Sequence, residues 1–315
     1  MTEFEFIKNI KNRFSLKAIG DDCAILPKDH ETDMAITADL LVENVDFRLD
    51  WTTPQLLGHK ALAVSLSDLA AVGATPRWAM LSIAIPEPLW TAKFLDKFYD
   101  GWHDLASANG VELIGGDISR IDSGLVIDST VAGDVPRGSA VLRSGAVPGD
   151  GIYVTGPIGS AAGGLKLLED GQRLSAGGRD PLLLKQLKPE PRVDLGTKLR
   201  TSGAVTSMID LSDGLSSDLA HICSAGGVGA VVNANDLPFD AELMAVAGSV
   251  DGMLEMALNG GEDFELLFTA SDEKMSGLDL DSIFRIGEVT ANVGVIELNR
   301  NGSIELLPPK GYRHF

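Results

Sequence analysis

The acidic residues of this chain fall in unusual places. Asp21 and Asp22 follow Gly20, Asp39 is set inside the apolar run MAITADLLV, and Asp68 sits in the largely apolar stretch KALAVSLSDLAAVGA. Asp117 closes LIGGD, Asp210 and Asp213 bracket Ser212 in IDLSDG, and Glu262-Asp263 follow Gly260-Gly261. Solvated acids lie on polar helical faces beside lysines. These lie among glycines at strand ends, or in apolar surroundings where an isolated charge is costly. Taken singly, each has an ordinary structural reading: Asp213 ahead of LSSDLAHI fits a helix N-cap, and Asp21 fits an Asx-turn. That reading is weakest for Asp68, which has no cap or turn to fill, and for Asp39. Gathered together, such carboxylates must protonate, repel or hold hard, oxygen-seeking cations. Magnesium with phosphate is the economical chemistry, because an acidic protein holds a polyphosphate only where bound metal reverses the local sign.

The rest of the composition narrows the class. The 315 residues carry 26 Lys+Arg against 45 Asp+Glu, a net charge of −19 that disfavours nucleic acid and anionic membrane surfaces as partners. No run of 18 apolar residues is present, and MTEFEFIKNIKNRF places acids where a secretory peptide needs a basic patch and an apolar core. The two cysteines, Cys23 and Cys223, cannot build a disulfide framework or a four-thiolate zinc site. A cytoplasmic, acidic, globular protein is expected.

Abundant glycine, with short apolar runs alternating with helical stretches, reads as α/β or α+β. Residues 34–42, 78–85, 111–117 and 124–135 read as strands. Thr53-Pro54 opens a helix that Gly73 stops, and 91–109 is an amphipathic helix ending at Gly110. A Gly- and Pro-rich segment over 133–156 places a domain boundary near residue 148, dividing the chain into 1–147 and 148–315. Beyond it, IYVTG, VGAVVNAND and EDFELLFTA read as strands, 161–169 as a helix and 171–180 as an exposed loop. SMIDLSDGLSSDLAHICSAGG reads as strand, turn, helix and stop, and Asn301-Gly302 as a hairpin turn.

Other motifs are weaker. Neither GxxxxGK[ST] nor GxGxxG opening a helix is present, so a P-loop and a dinucleotide fold are excluded. GPIGS (156–160) either presents backbone N–H groups to phosphate or is a structural turn. The five histidines show no metal spacing, Cys23 beside Asp22 is a buried filler whose thiol the acids push up, and Ser212 lacks a nucleophile elbow. His221 reads as structural. Arg143 in VLRSGAVPGD is a surface arginine or a phosphate ligand.

The motifs GDDCAI (20–25), KALAVSLSDLAAVGA (60–74), LIGGDISR (113–120), LRSGAVPGD (142–150), IDLSDGLSSDL (209–219), GGEDFELLF (260–268) and GYRHF (311–315) resemble thiamine-monophosphate kinase. The resemblance runs in order from residue 20 to the last residue. It falls within the wider superfamily of aminoimidazole ribonucleotide synthetase, selenophosphate synthetase and a hydrogenase-maturation enzyme. It implies two α/β domains with mixed sheets and flanking helices. It also implies a homodimer formed through the N-terminal domains, for which strands 34–42 and 78–85 offer apolar surface, and ATP bound in a cleft with several Mg²⁺ ions. By motif, Asp22, Asp39, Asp68, Asp117 and Asp210 correspond to magnesium ligands, with Asp213 a further one. Thr37 and Ala38 would assist by side-chain or backbone oxygen. Gly116 with Asp117, Arg143 and Ser212 correspond to ATP contacts, and Tyr99 in FYDGW to another, while Glu262 and Tyr312 resemble residues holding the thiamine portion. Two positions depart from the family. Ala38 replaces a hydroxyl residue, leaving only its carbonyl, and Asp46 in VENVDF stands where many members carry His near the substrate.

The implied reaction is direct in-line transfer of the ATP γ-phosphoryl to thiamine monophosphate, without a phosphoenzyme or a general base, since a phosphate acceptor is already anionic. The alternatives are another ATP-dependent synthetase of the superfamily, or a non-catalytic nucleotide-binding regulator.

Overall fold

The computed structural model describes residues 3–175, 177–278, 280 and 282–314. Its first half contains α1 (Glu3–Phe14), β1 (Ala24–Pro27), β2 (Thr32–Val42), α2 (Pro54–Ala71), β3 (Thr75–Pro86), α3 (Ala92–Ala108), β4 (Glu112–Gly115), β5 (Ile118–Ile121) and β6 (Val126–Pro136). The strands form one mixed sheet in the order β1-β2-β6-β3-β4, with β5 also paired to β3. Burial alternates strictly along β6: Ile127, Ser129, Val131 and Val135 face α2 and the core, while the intervening residues face outward. The outward face is also largely apolar, with cross-strand rows Ile36–Ala132–Trp78 and Ala38–Thr130–Met80.

Helix α2 begins as the local signals predict: Thr53 caps it by accepting from the Leu56 N–H, Pro54 occupies the first turn, and Gly73 follows the end with φ +69°. It is buried on nearly every face, between the sheet, α3 and the second half of the chain. Two glycines set its distance from α3. A Cβ on Gly58 would lie 1.9 Å from the Phe98 carbonyl oxygen, and one on Gly101 would lie 1.8 Å from that of Gln55.

The second half contains β7 (Gly151–Val154), α4 (Ser160–Glu169), α5 (Pro181–Leu187), α6 (Val193–Ser202), β8 (Val205–Asp210), α7 (Leu215–Gly226), β9 (Gly229–Asn233), α8 (Leu243–Ala247), α9 (Val250–Asn259), β10 (Leu266–Ala270), α10 (Asp272–Met275), β11 (Phe284–Thr290), β12 (Ile296–Arg300) and β13 (Ser303–Leu306). Its sheet runs β13-β12-β9-β11-β7-β10-β8, antiparallel except where β12 meets β9. Ile152, Val154, Ile209, Leu219, Ile222 and Leu254 share its core. The core around α2 also takes in Val193, Leu199, Met208, Phe264 and Phe268, so the two halves meet across continuous apolar packing. Among the described residues no helix is long and apolar enough to cross a membrane.

Three local readings need correction. EDFELLFTA is a strand only from Leu266; Glu262 and Phe264 are left-handed, at φ 66° and 49°, because their N–H groups bond back to Ser212 and Leu211. Gly214, not Asp213, is the residue at the N-cap of α7. Helices α1, α5, α6, α8, α9 and α10 were not anticipated; α5, seven residues long behind an Asp180 cap, is too short to show a helical period. The Asn301-Gly302 hairpin forms as expected, with both residues at positive φ.

The α2–α3 contact yields a stability prediction. Gly58→Ala should lower the unfolding free energy by about 1–3 kcal/mol through overpacking. Gly277→Ala, whose Cβ would meet nothing nearer than 3.7 Å, should stay within about 0.5 kcal/mol. Denaturant unfolding of the two variants checks the contrast.

Candidate active site

A helix buried on all sides must find a partner for each polar side chain it carries. On α2, Ser65 Oγ donates to Asp39 Oδ2 at 2.7 Å and Ser67 Oγ donates to Asp210 Oδ2 at 2.6 Å. Asp68 accepts from Thr37 Oγ1 at 2.5 Å. The helix thus draws together carboxylates from distant segments: Asp22 ahead of β1, Asp39 on β2, Asp68 on its own last turn and Asp210 at the end of β8. Oxygen atoms of Asp22, Asp68 and Asp210 all lie within 4.8 Å of one another.

Burial dominates the electrostatics. It pushes the Asp210 carboxyl up to about 8, with the Asp22 charge adding to it, and pushes Asp39 up to about 6. Asp68 is raised well above the carboxylate range by burial and then by Asp39, Asp210 and Asp22. Asp22 is raised by burial and opposed by Arg143, whose guanidinium stands 2.6 Å from Oδ1. The other oxygen, Asp22 Oδ2, is buried with no hydrogen-bond partner among the described residues. Three converging carboxylates, one with a free buried oxygen, fit a hard divalent cation. The same acids, after burial, push the Cys23 thiol well up, as its sequence neighbours predict.

Beside the acids lies a cavity of about 600 Å³ between the two halves, with Asp39 and Ser212-Asp213 in its wall. Asp46, Glu262 and Tyr312 also line it, so the three substrate candidates share one space. Asp46 Oδ2 accepts from the Val42 N–H at 2.8 Å, and burial raises its carboxyl against that bond and nearby His314. Glu262 pairs with Lys60 Nζ at 2.7 Å and accepts from the Gln186 side-chain amide.

Other candidates lie outside these two groups. Asp117 is exposed after β4 and accepts from the Ile118 N–H. Gly116, at φ +148°, could not carry a Cβ, which would sit 1.8 Å from the Leu81 carbonyl oxygen. Tyr99 lines a separate hollow of about 720 Å³ with Trp102, Val111 and Leu113. Ala38 is exposed on the open sheet face, and the Thr37 hydroxyl is directed to Asp68. GPIGS resolves as a structural turn: the N–H groups of Gly159 and Ala161 donate to the buried Asp263 carboxylate. Asp21 accepts from the Asp22 and Arg143 N–H groups, a local turn combined with a long-range tie. Lys60, Gln186 and His314, which also line the cavity, were missed. Lys60 alone carried a sequence signal, a solitary charge inside an apolar run like that of Asp68.

Two family models match, "AIR synthase related protein, N-terminal domain" over residues 20–135 and "AIR synthase related protein, C-terminal domain" over residues 147–297. Thiamine-monophosphate kinase of Escherichia coli (strain K12) is 40% identical over 304 residues, covering 94% of this chain and 91% of the relative. That of Bacillus subtilis (strain 168) is 36% identical over 329 residues, covering 100% of both. Among solved structures, "AaThiL complexed with AMPPCP and TMP" superposes with a TM-score of 0.89 at 30% identity, covering 100% of this chain and 97% of that one. Thiamine-monophosphate kinase from Stenotrophomonas maltophilia K279a gives 0.80 at 36% identity, covering 96% and 98%.

Carboxyls raised from an ordinary 3.8 to about 6 and about 8 bind protons more tightly folded than unfolded. Without divalent cations the folded state therefore holds the extra protons between about pH 4 and about pH 8, and stability falls as pH rises across that window. The melting temperature of the chelated protein should drop over this range, and Mg²⁺ should restore it at the alkaline end. Asp210→Asn keeps an acceptor for Ser67 and removes one repelling charge. It should melt about 2–8 °C above the chelated parent near pH 8 and gain less from Mg²⁺. Thermal melts with and without chelator decide; equal Mg²⁺ shifts in parent and variant would contradict the assignment.

Proposed function

The chain belongs to the thiamine-monophosphate kinase family, and on that premise we propose that it transfers the γ-phosphoryl group of ATP to thiamine monophosphate, giving thiamine diphosphate and ADP. The observation that carries this reading is the convergence of Asp22, Asp68 and Asp210 beside a cavity that also holds Asp46, Glu262 and Tyr312. The solved relative complexed with AMPPCP and TMP supports the same pair of ligands. Residues 1–147 would bind ATP and Mg²⁺ and form the dimer, and 148–315 would close the cleft.

Asp22, Asp39, Asp68 and Asp210 would hold Mg²⁺, with Asp117 and Asp213 completing the set from the two sides and the Ala38 carbonyl assisting Asp39. Thr37 orients the Asp68 carboxylate through its hydroxyl. Bound there, Mg²⁺ supplies charge neutralisation and a common template for donor and acceptor phosphates. Arg143, pinned by Asp22, offers a fixed positive charge for the triphosphate. Gly116 lets the backbone approach the nucleotide, Ser212 adds a polar contact, and the hollow at Tyr99 would take the nucleoside end.

Phosphoryl transfer asks chiefly for alignment and charge balance. The acceptor oxygen is anionic near neutral pH, so no side chain need remove a proton, and direct in-line attack needs no covalent enzyme intermediate. Asp46 and Glu262 would face the thiazolium cation, and the exposed Tyr312 ring would cover its π-face. Free thiamine lacks the phosphate that is aligned and should be a poor acceptor. The acidic chain and its two buried free cysteines agree with a cytoplasmic enzyme.

The open face of the first sheet, with Ile36, Met80 and the 56%-exposed Leu40, supports a homodimer built on β2 and β3. Light scattering should give about twice the 33.3 kDa chain mass, and Leu40→Lys should shift it toward the monomer.

The activity is tested with γ-labelled ATP. Label should move into thiamine diphosphate with ADP left behind, while label found only as free phosphate would indicate a synthetase. Asp68→Asn should cut kcat by at least about a hundredfold in a protein that remains folded.

A further inference from the structure

Lys60 is a charged side chain in the wrong place for ordinary reasons. It lies in the middle of α2, its side chain is only 4% exposed, and it lines the cavity assigned to a cationic substrate. An ammonium group has three N–H donors, and burial demands three acceptors. Lys60 Nζ finds Glu262 Oε1 at 2.7 Å and the carbonyl oxygens of Asp46 and Gln186 at 3.4 Å each. These acceptors belong to three separate walls: the loop after β2, the helix α5, and the loop before β10.

The second oxygen of Glu262 accepts from the Gln186 side-chain amide, and Gln186 is itself buried. Both carboxylate oxygens are therefore gripped from the protein side. The backbone is fixed as well: Glu262 is left-handed, its N–H bonds to the Ser212 carbonyl, and a Cβ on Gly261 would lie 2.5 Å from that same oxygen. Across the cavity, Asp46 feels Glu262 as a repelling charge and Lys60 as an attracting one. Without Lys60 the two acids would swing apart or leave the cavity wall.

We propose that Lys60, with Gln186, is a positioning residue that sets thiamine-monophosphate affinity by holding the Glu262 carboxylate in the cavity wall and tying the Asp46 loop to it. This deepens the proposed function and rests on Glu262 contacting the thiamine part. Lys60 acts through Glu262 rather than on the phosphates, whose acidic cluster is reached from α2 by Ser65 and Ser67 instead.

The test is steady-state kinetics on the full-length enzyme with Lys60→Met, Glu262→Gln and the double variant. Lys60→Met should raise KM for thiamine monophosphate by about tenfold or more, with kcat and KM for ATP within about threefold. In the Glu262→Gln background the same substitution should add less than about twofold, because the carboxylate charge that Lys60 pairs with is already gone. Multiplicative effects in the double variant, or equal losses in kcat and both KM values, would overturn the proposal. If Lys60→Met fails to fold by circular dichroism, Gln186→Leu is read in the same cycle, and an unchanged KM for thiamine monophosphate then overturns it. A Glu262→Gln variant with unchanged KM would instead sink the assignment of Glu262 itself, and the Lys60 role with it.

Discussion

Beyond its first turn, helix α2 has no solvent face on which to leave a polar group, and this constraint organises the molecule. Its apolar residues fill the space between the two halves, while its few polar side chains are committed to partners chosen from elsewhere in the chain. Lys60 reaches Glu262, Ser65 reaches Asp39, Ser67 reaches Asp210, and Asp68 receives Thr37. Reading down one helix therefore passes from the substrate cavity to the acidic cluster. The glycines at 58 and 101 let α3 pack close, and Gly196 on α6 allows a similar approach, since its Cβ would lie 2.1 Å from the Ala70 carbonyl oxygen. Because Lys60 and Asp68 lie on one helix, the distance between the cavity and the acids is set by helical rise rather than by flexible side chains.

What α2 gathers is electrostatically unfavourable by itself. Burial and mutual repulsion raise Asp39, Asp68 and Asp210, and only Arg143 stands against them as a direct partner of Asp22. A fold that concentrates acids in this way gives up stability in the metal-free state for a site that is already arranged to bind cations. Asp210 adds a further consequence. It lies in the second half of the chain and is held by Ser67 of the first, so the cluster is complete only when the halves are docked.

Much of this was legible in the sequence, and what was not depends on contacts or lengths that no local pattern carries. The ends of α2 were readable because Thr53, Pro54 and Gly73 act within one turn of the backbone they fix. Asp68 stood out because no local role explained it. Two of the failures depend on partners far along the chain. Asp263 takes up the Gly159 amide of GPIGS from 104 residues away, which no local pattern could reveal. The first four residues of EDFELLFTA lead into an apolar strand run, but bonds to Leu211 and Ser212 turn them into a loop. Asp213 has the chemistry of a cap, yet Asp218 accepts its N–H, and that of Gly214, from inside the helix. The quoted motifs contain Asp22, Asp68 and Asp210, which the fold brings together, but Lys60 was passed over, since a lysine in an apolar run resembles an ordinary snorkelling side chain until its three acceptors are seen.

The two ends of the site answer opposite electrostatic problems with the same residue type. At the acidic cluster, on the proposed function, the carboxylates would repel a phosphate ligand and become useful only through cations, with Arg143 as the positive partner of Asp22. At the cavity end, on the proposed function, Asp46 and Glu262 would attract a cationic ring directly, and an excess of negative charge would favour any small cation over the right one. Lys60 moderates that field without occupying the cavity, because its charge is spent on Glu262 and two carbonyls. A zwitterionic acceptor, cationic at the ring and anionic at the phosphate, matches this polarity along its length. A nucleotide alone would meet the right charge at one end only.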